Sequence, residues 1–194
     1  SVQGLENPKE TYDVNINGTI NVMEYARKNR TPVIFISSCK IQPNSRGALG
    51  SYGVSKVCGE LIVKDYWKIY GVPYIILRPS SIFGISQNGT RILGWITWLI
   101  KAAIHDYMIR IDNDGGQKRD GIYVDDLADL ILKIVPTFYE GCNRTYGVGN
   151  GRREAITVNM LIEYLEVKVG HKLKTQSIPA RRGDPYSLVM SPTK

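Results

Sequence analysis

Tyr52 and Lys56 are four positions apart in the segment Tyr-Gly-Val-Ser-Lys, a spacing that places two side chains on one face of a helix. The lysine ammonium can therefore lie beside the phenol. A tyrosine ordinarily titrates near pH ~10 and is a poor base at neutral pH, but a nearby positive charge lowers its pKa. We expect Lys56 to make Tyr52 a usable base in this way. The pair alone indicates little, because most pairs at this spacing belong to a solvated helix face.

Two serine hydroxyls follow the first wholly apolar run of the chain. Ser37 and Ser38 come directly after residues 33–36, whose sequence Val-Ile-Phe-Ile is typical of a strand buried in a parallel sheet. Open α/β sheets bind their ligands at the carboxyl ends of their strands. A strand-end serine, a short loop and then Tyr52 at a helix start form a combination that chance seldom assembles.

The elements that position these residues alternate between helix and strand. Apolar periodicity predicts helices over residues 7–29 and 52–70, and strands over 33–36 and 74–77. Gly71 is expected to end the second helix. Alternation of this kind implies crossover units and a doubly wound α/β sheet.

The character of the chain changes after Pro79. Residues 79–92 form a loop rich in Ser, Gly and Asn, which leads to an amphipathic helix around Trp95 and Trp98. The two tryptophans suit a packing face better than a stacking surface for a base. Residues 122–135 return to the strand and helix pattern. The intervening stretch is therefore predicted to cover a site.

Composition indicates a soluble globular protein. The 194 residues are 43% hydrophobic and 22% charged, and the first residues lack the pattern of a secretory signal. Cys39, Cys58 and Cys142 form no Cys-x-x-Cys pair, and an odd number leaves at least one thiol free. Reduced cysteines and a cytoplasmic location are expected.

The net charge of +7 favours a small anionic ligand. Basic residues are spread thinly and form no stripe interleaved with aromatics, so nucleic acid is not an expected partner. No apolar run approaches the ~20 residues of a membrane-spanning helix, and no membrane partner is expected. His105 and His171 have no partners at ligand spacing, which argues against a metal site.

In their order, several motifs resemble the extended short-chain dehydrogenase/reductase family, and within it the NAD-dependent nucleotide-sugar epimerases and dehydratases. The matching segments are Asn15-Ile-Asn-Gly18-Thr19, Ser38, Tyr52 to Lys56, Leu77-Arg78 through Gly84, Arg119-Asp120 through Asp126, and Arg181-Arg-Gly183-Asp184. Cys39-Lys40 replaces the Asp-Glu pair of the 4,6-dehydratases, so dehydration is disfavoured. A less specific likeness is to the CDP-tyvelose 2-epimerase branch.

The resemblance implies an NAD-dependent epimerase of a nucleoside-diphosphate sugar. In that reaction the tyrosine takes a hydroxyl proton, the serine hydrogen-bonds the oxygen, NAD accepts the hydride, and the keto-sugar is reduced again from its other face. The catalytic residues implied are Ser38, Tyr52 and Lys56. Those implied for cofactor binding are Ser37, Tyr52, Lys56, Pro79 and Ser80, and those for substrate are Ser38, Ser81, Arg119, Arg181 and Asp184.

Some of these roles have ordinary structural alternatives. Ser80 and Ser81 follow a strand, where polar loop residues equally often bond to their own loop. Arg119 and Arg181 carry guanidinium forks that match pyrophosphate, although by charge type alone each would more often form a surface salt bridge. An NADP-dependent reductase of the same fold and a non-catalytic nucleotide-binding remnant are the rival functions.

The expected fold is α/β, with a partial Rossmann-type doubly wound parallel sheet and a smaller C-terminal substrate-binding cap. Residues 1–78 and 119–148 are assigned to the dinucleotide-binding domain, and 79–118 and 149–194 to the cap. The family's glycine-rich strand-turn-helix, which binds the dinucleotide pyrophosphate, is absent from this sequence. We therefore expect a fragment, with a split or degenerate protein as alternatives, and we expect a homodimer.

Overall fold

A computed structural model describes residue 4 and residues 6–42, 49–151, 155–179 and 187–190 of the chain. The helices are α1 (Pro8–Tyr12), α2 (Gly18–Asn29), α3 (Gly50–Tyr70), α4 (Trp95–Ile104), α5 (Val124–Ile134), α6 (Phe138–Gly141) and α7 (Val158–Val169). A π-helical turn, Asp13–Asn17, joins α1 to α2, and a 3-10 turn, Cys39–Ile41, precedes α3. The strands are β1 (Val33–Ile36), β2 (Tyr74–Pro79), β3 (Ser81–Phe83), β4 (Ile109–Asp112), β5 (Lys118–Arg119), β6 (Gly121–Tyr123), β7 (Arg144–Val148), β8 (Ile156–Thr157), β9 (Thr175–Ile178) and β10 (Ser187–Leu188).

The central sheet is parallel and has the order β1-β2-β7. The predicted strand 33–36 is observed at those bounds, and the predicted strand 74–77 extends to Pro79. Strand β2 is almost wholly buried, whereas β1 is only half-buried, because β1 pairs with β2 alone among the described residues. The expectation that the 33–36 strand lies inside the sheet therefore does not hold for this part of the chain.

Helices cover both faces of the sheet. One face packs on α2 and α3 through a cluster that includes Met23, Val63 and Ile76. The opposite face packs on α5 and α6 through a cluster that includes Leu77 and Leu127. The doubly wound α/β fold expected from the alternating pattern is confirmed.

A third apolar cluster lies outside the central sheet, between α4 and α7. It contains Leu99, Ile109, Ile162 and Leu165, with Trp95 and Trp98 packed against it. The two tryptophans therefore belong to a packing face, as their spacing favoured. The small parallel pairs β3-β6 and β4-β9, and the sheet β10-β5-β8, complete the described strands.

Candidate active site

The two serines at the end of β1 turn to different partners. Ser37 is buried, and its Oγ donates a 2.6 Å hydrogen bond to Oε1 of Glu60. Ser38 caps the 3-10 turn by accepting a 3.1 Å bond from the backbone N–H of Lys40. Ser38 also lies near enough to the Tyr52 phenol to lower the pKa of that group. Ser38 is thus the serine directed at the predicted base.

Helix α3 is held unusually close to the end of β1, and this places Tyr52 and Lys56 beside the serines. A Cβ on Gly53 would lie 2.5 Å from the Lys40 carbonyl oxygen, and one on Gly59 would lie 2.5 Å from Cζ of Phe35. Glycine permits such close backbone approach. The first turns of α3 therefore lie directly over the strand end.

The Lys56 ammonium is bound to a strand carbonyl. Its Nζ donates a 2.9 Å hydrogen bond to the Ile36 oxygen, and it lies 5.3 Å from the centroid of the Phe35 ring and 5.9 Å from that of Tyr52. Burial lowers the pKa of Lys56, because desolvation disfavours the charged form. The lysine and the tyrosine share one helix face, as their spacing predicted.

The pKa of Tyr52 is nevertheless raised above its ordinary value. Burial is the largest cause and the neighbouring Cys39 adds to it, while the bond from Ser38 acts in the opposite direction. The expectation that Lys56 lowers the pKa of Tyr52 is therefore wrong, since Lys56 is not among the causes of the shift. The ammonium is held by the Ile36 carbonyl instead of by the phenol oxygen.

The π-helical turn fixes the first turn of α3. Asn15 donates from Nδ2 to Oγ of Ser55 at 2.9 Å, and Ser55 in turn donates to the Tyr52 carbonyl at 2.8 Å. Ser55 is 1% exposed, whereas Asn15 is half-buried. Such π-helical insertions often occur at functional sites. The segment Asn15 to Thr19 thus supports the backbone of the predicted base.

Glu60 lies in this region but was not among the site residues predicted from the sequence. Besides the bond from Ser37, its carboxylate accepts 2.8 Å and 2.5 Å bonds from Nε and Nη2 of Arg78. The side chain is 4% exposed. One signal pointed to it: Glu60 follows Lys56 by four positions and Tyr52 by eight, so the three share a helix face.

The residues predicted beyond β2 lie at the same carboxyl edge of the sheet. The backbone N–H of Ser37 bonds the Leu77 carbonyl at 2.7 Å, and that of Ser80 bonds the Val148 carbonyl at 2.8 Å. Pro79 ends β2, and Ser81 begins β3 in a half-buried position. The Oγ of Ser80 is buried and has no hydrogen-bond partner among the described residues.

Arg119 and Asp120 are both buried next to this edge. Arg119 lies in β5 and is 7% exposed, with Nη1 bonded to the Lys118 carbonyl at 2.9 Å. Asp120 is 1% exposed, and its Oδ2 accepts a 3.2 Å bond from the Met190 backbone N–H. Burial raises the pKa of Asp120, which the backbone bonds only partly offset. The predicted substrate ligands Arg181 and Asp184 lie outside the described residues.

The described residues contain no cluster of three or more side chains suited to a metal ion. Among the described helices, none is long and apolar enough to cross a membrane.

A family model matches most of the chain. Residues 2–149 match the model of the NAD dependent epimerase/dehydratase family. The chain belongs to this family. The residues that this family member places at the carboxyl edge of its sheet fit the nicotinamide end of NAD. They offer as polar groups the Lys56 ammonium and the buried Ser80 hydroxyl, for which the described part of the chain supplies no hydrogen-bond partner.

Individual relatives of this family member are nucleotide-sugar epimerases. A putative UDP-glucose 4-epimerase of Methanocaldococcus jannaschii is 30% identical over 96% of this chain and 63% of its own length. The CDP-paratose 2-epimerase of Salmonella typhi is 21% identical over 93% of this chain and 63% of its own length. The chain therefore spans less than two thirds of the relatives that it matches.

A solved structure matches the fold closely. The UDP-glucose 4-epimerase of Thermotoga maritima, crystallised with UDP-glucose, superimposes with a TM-score of 0.87 at 24% identity. The match covers 98% of this chain and 64% of that one. At this identity the likeness establishes the Rossmann-type epimerase fold.

Proposed function

We propose that this chain carries the catalytic part of an NAD-dependent epimerase that acts on a nucleoside-diphosphate sugar. The observation that carries the proposal is the arrangement at the end of β1, where Ser38 caps the 3-10 turn, and Lys56 lies 5.9 Å from the Tyr52 ring on the same face of α3. Family membership supports the cofactor, and the two UDP-glucose 4-epimerases among the three named proteins favour a UDP-sugar and its carbon 4.

Each residue has a defined task in this reaction. When bound, NAD supplies a reversible hydride acceptor at the sugar carbon. Tyr52 takes the proton of the sugar hydroxyl as the carbonyl forms, and Ser38 donates a hydrogen bond to the same oxygen. Lys56 would hold the nicotinamide ribose of the cofactor. Tyr52 would return its proton to the sugar oxygen when the keto-sugar is reduced again from its opposite face, so the epimer would form with no net redox change.

The remaining roles extend the proposal to the rest of the site. Ser37, Pro79 and Ser80 are proposed to line the nicotinamide pocket. Ser81, Arg119, Arg181 and Asp184 are proposed to hold the substrate, with the two arginines at its pyrophosphate. Residues 1–78 and 119–148 are proposed as part of the dinucleotide-binding domain, and 79–118 and 149–194 as the cap. The separate apolar cluster between α4 and α7 supports that division.

The decisive experiment is turnover of UDP-glucose by the chain with added NAD, measured as formation of its 4-epimer. Tyr52→Phe is expected to lower the rate about 100- to 10,000-fold, because a general base contributes that much. Tyr139→Phe is the matched control, since Tyr139 is 70% exposed on α6. Normal turnover by Tyr52→Phe would contradict the proposal.

Two other outcomes would identify the rival functions. Net consumption of NADPH with the sugar would identify a reductase of the same fold. Binding of NAD and UDP-glucose in a calorimeter without any turnover would identify a nucleotide-binding protein instead of an enzyme.

A homodimer is proposed through the outer face of α2 and α3. A groove between these helices is lined by Ile20, Leu61 and Ile62 together with charged side chains, and Leu61 is 62% exposed. Exposed apolar patches of this kind mark protein interfaces. Leu61→Asp is expected to shift the sedimentation of the chain to that of a monomer, whereas Leu132→Asp on α5 is not. A cytoplasmic location is also proposed, since all three cysteines are free thiols.

A further inference from the structure

Glu60 joins three elements of the site through one buried carboxylate. It lies on α3, one turn after Lys56, and it accepts the Ser37 hydroxyl from the end of β1 at 2.6 Å. Arg78, on β2, donates two bonds to it from Nε and Nη2, in a forked geometry. The helix that carries Tyr52 is therefore tied to both strand ends of the site by the same side chain.

The carboxylate of Glu60 is ionised at neutral pH in this setting. Burial alone would raise its pKa, but the bonds from Arg78 and Ser37 outweigh burial, and the pKa of Glu60 lies below its ordinary value of 4.5. Lys64 lies on the more exposed side, with Nζ 3.7 Å from Oε2. A buried charge that loses one partner is strongly destabilised, so this arrangement has one favoured geometry.

The two partners of Glu60, Ser37 and Arg78, are each followed by a residue of the predicted site. Ser37 precedes Ser38, the residue that lowers the pKa of the Tyr52 phenol against the effect of burial. Arg78 precedes Pro79, where β2 ends. Because Ser37 and Ser38 are consecutive, a bond that holds the Ser37 side chain also restricts the backbone that carries Ser38.

We infer that Glu60 is a positioning residue, which sets the location of Ser38 against Tyr52 through Ser37 and that of the β2 end through Arg78. A role of Glu60 in catalysis rests on the proposed function, whereas its bonds to Ser37 and Arg78 exist whether or not the chain turns over a sugar. A displacement of about 1 Å in a catalytic group costs on the order of 100-fold in rate. The effect of Glu60 is therefore expected on kcat more than on KM.

The test is Glu60→Gln, which keeps the size of the side chain and removes its charge. The pKa of Tyr52 is followed by NMR of ¹³Cζ-labelled tyrosine, with the Tyr52→Phe protein identifying the signal among 12 tyrosines. The Tyr52 pKa is expected to rise in Glu60→Gln, because the Ser38 bond that lowers it is loosened. Where turnover is measurable, kcat is expected to fall about 10- to 100-fold with KM changed less than about threefold.

Lys64→Met is the matched control, since it removes the nearby charge and leaves the Ser37 and Arg78 bonds intact. Lys64→Met is expected to leave the pKa of Tyr52 unchanged. Ser37→Ala combined with Glu60→Gln should shift the Tyr52 pKa by less than the sum of the two single changes, because both act on Ser38 through one bond. Tyr52 pKa shifts that add in the double variant would contradict an effect of Glu60 that acts through its bond with Ser37.

A folded Glu60→Gln protein with an unchanged Tyr52 pKa would overturn the inference. Should Glu60→Gln fail to fold, Arg78→Lys keeps a positive charge but loses the fork, and the same titration decides the question. A shifted Tyr52 signal in a chain that turns over no sugar would sustain the positioning role while the proposed function fails. The two hypotheses are thus tested separately.

Discussion

Lys56 binds the Ile36 carbonyl on the side of β1 that faces away from β2. In a parallel sheet, every second residue of a strand directs its backbone N–H and C=O to the same neighbouring strand. The N–H groups of Val33 and Ser37 bond the carbonyls of Pro73 and Leu77, so these residues face β2. The carbonyl of Ile36 is therefore directed to the other side, where Lys56 Nζ reaches it at 2.9 Å. Because an ammonium has three N–H donors, Lys56 can keep this bond and still donate to a ribose hydroxyl, as proposed.

Lys56→Met is expected to weaken NAD binding about 10- to 150-fold, since a hydrogen bond from a charged group contributes ~1.5–3 kcal/mol. Isothermal titration with NAD measures the effect directly. Lys133→Met, an exposed change on α5, serves as the control for lost charge. An unchanged dissociation constant in Lys56→Met would show that the lysine does not hold the ribose in the complex.

Ser38→Ala is expected to raise the pKa of Tyr52 further, because the Ser38 hydroxyl bond is what opposes the effect of burial. The variant should need a higher pH to reach half of its maximal rate. It should also lose about 1 kcal/mol of stability, since Ser38 caps the 3-10 turn. A pH-rate profile and a urea titration measure the two effects, with exposed Ser177→Ala as the control.

The sequence predicted the parts of this site that depend on local pattern. The bounds of β1 follow from an apolar run, and the end of α3 follows from Gly71, which adopts a left-handed φ of 70°. The common face of Tyr52 and Lys56 follows from their spacing. These features need no knowledge of distant contacts.

Features that depend on tertiary contacts were not predictable in the same way. An acidic residue such as Glu60 on a helix resembles a solvated side chain until Arg78, from the next strand, is placed beside it. The bond from Lys56 to Ile36 depends on how α3 packs on β1, and the raised pKa of Tyr52 depends on its burial. Neither is specified by the local sequence. Sequence spacing alone therefore predicted the shared helix face of Tyr52 and Lys56, but not the direction of the Tyr52 pKa shift.

Gly59→Ala is expected to destabilise the chain by about 1–3 kcal/mol, because its new methyl group would lie 2.5 Å from the Phe35 ring. Gly18→Ala provides the opposite case. A Cβ on Gly18 meets nothing within 4 Å, and its backbone is helical, so the change should stabilise the chain by about 0.4–1 kcal/mol. Urea unfolding of the two variants separates close packing from helix propensity. Equal effects would contradict the close approach of α3 to β1.

Asp120→Asn is expected to change stability in a manner that depends on pH. Burial raises the pKa of Asp120 above its ordinary value of 3.8, so the folded protein binds this proton more tightly than the unfolded chain does. The stabilisation is fully present below pH 3.8 and is lost as the pH rises through the folded pKa. Asn keeps an oxygen for the Met190 N–H and carries no titrating proton.

The free energy of unfolding of Asp120→Asn relative to the original chain should therefore rise as the pH increases from 3.8 toward neutrality. Urea titrations across that range measure it, and Asp126→Asn, an exposed change in the first turn of α5, accounts for the loss of one acidic group. A difference that shrinks with rising pH would mean that the Asp120 carboxylate is better stabilised in the folded chain than its burial implies. The buried Ser80 hydroxyl, which a Cβ on Gly149 would meet together with Asp120 Oδ2, would then be the first side chain to examine as its partner.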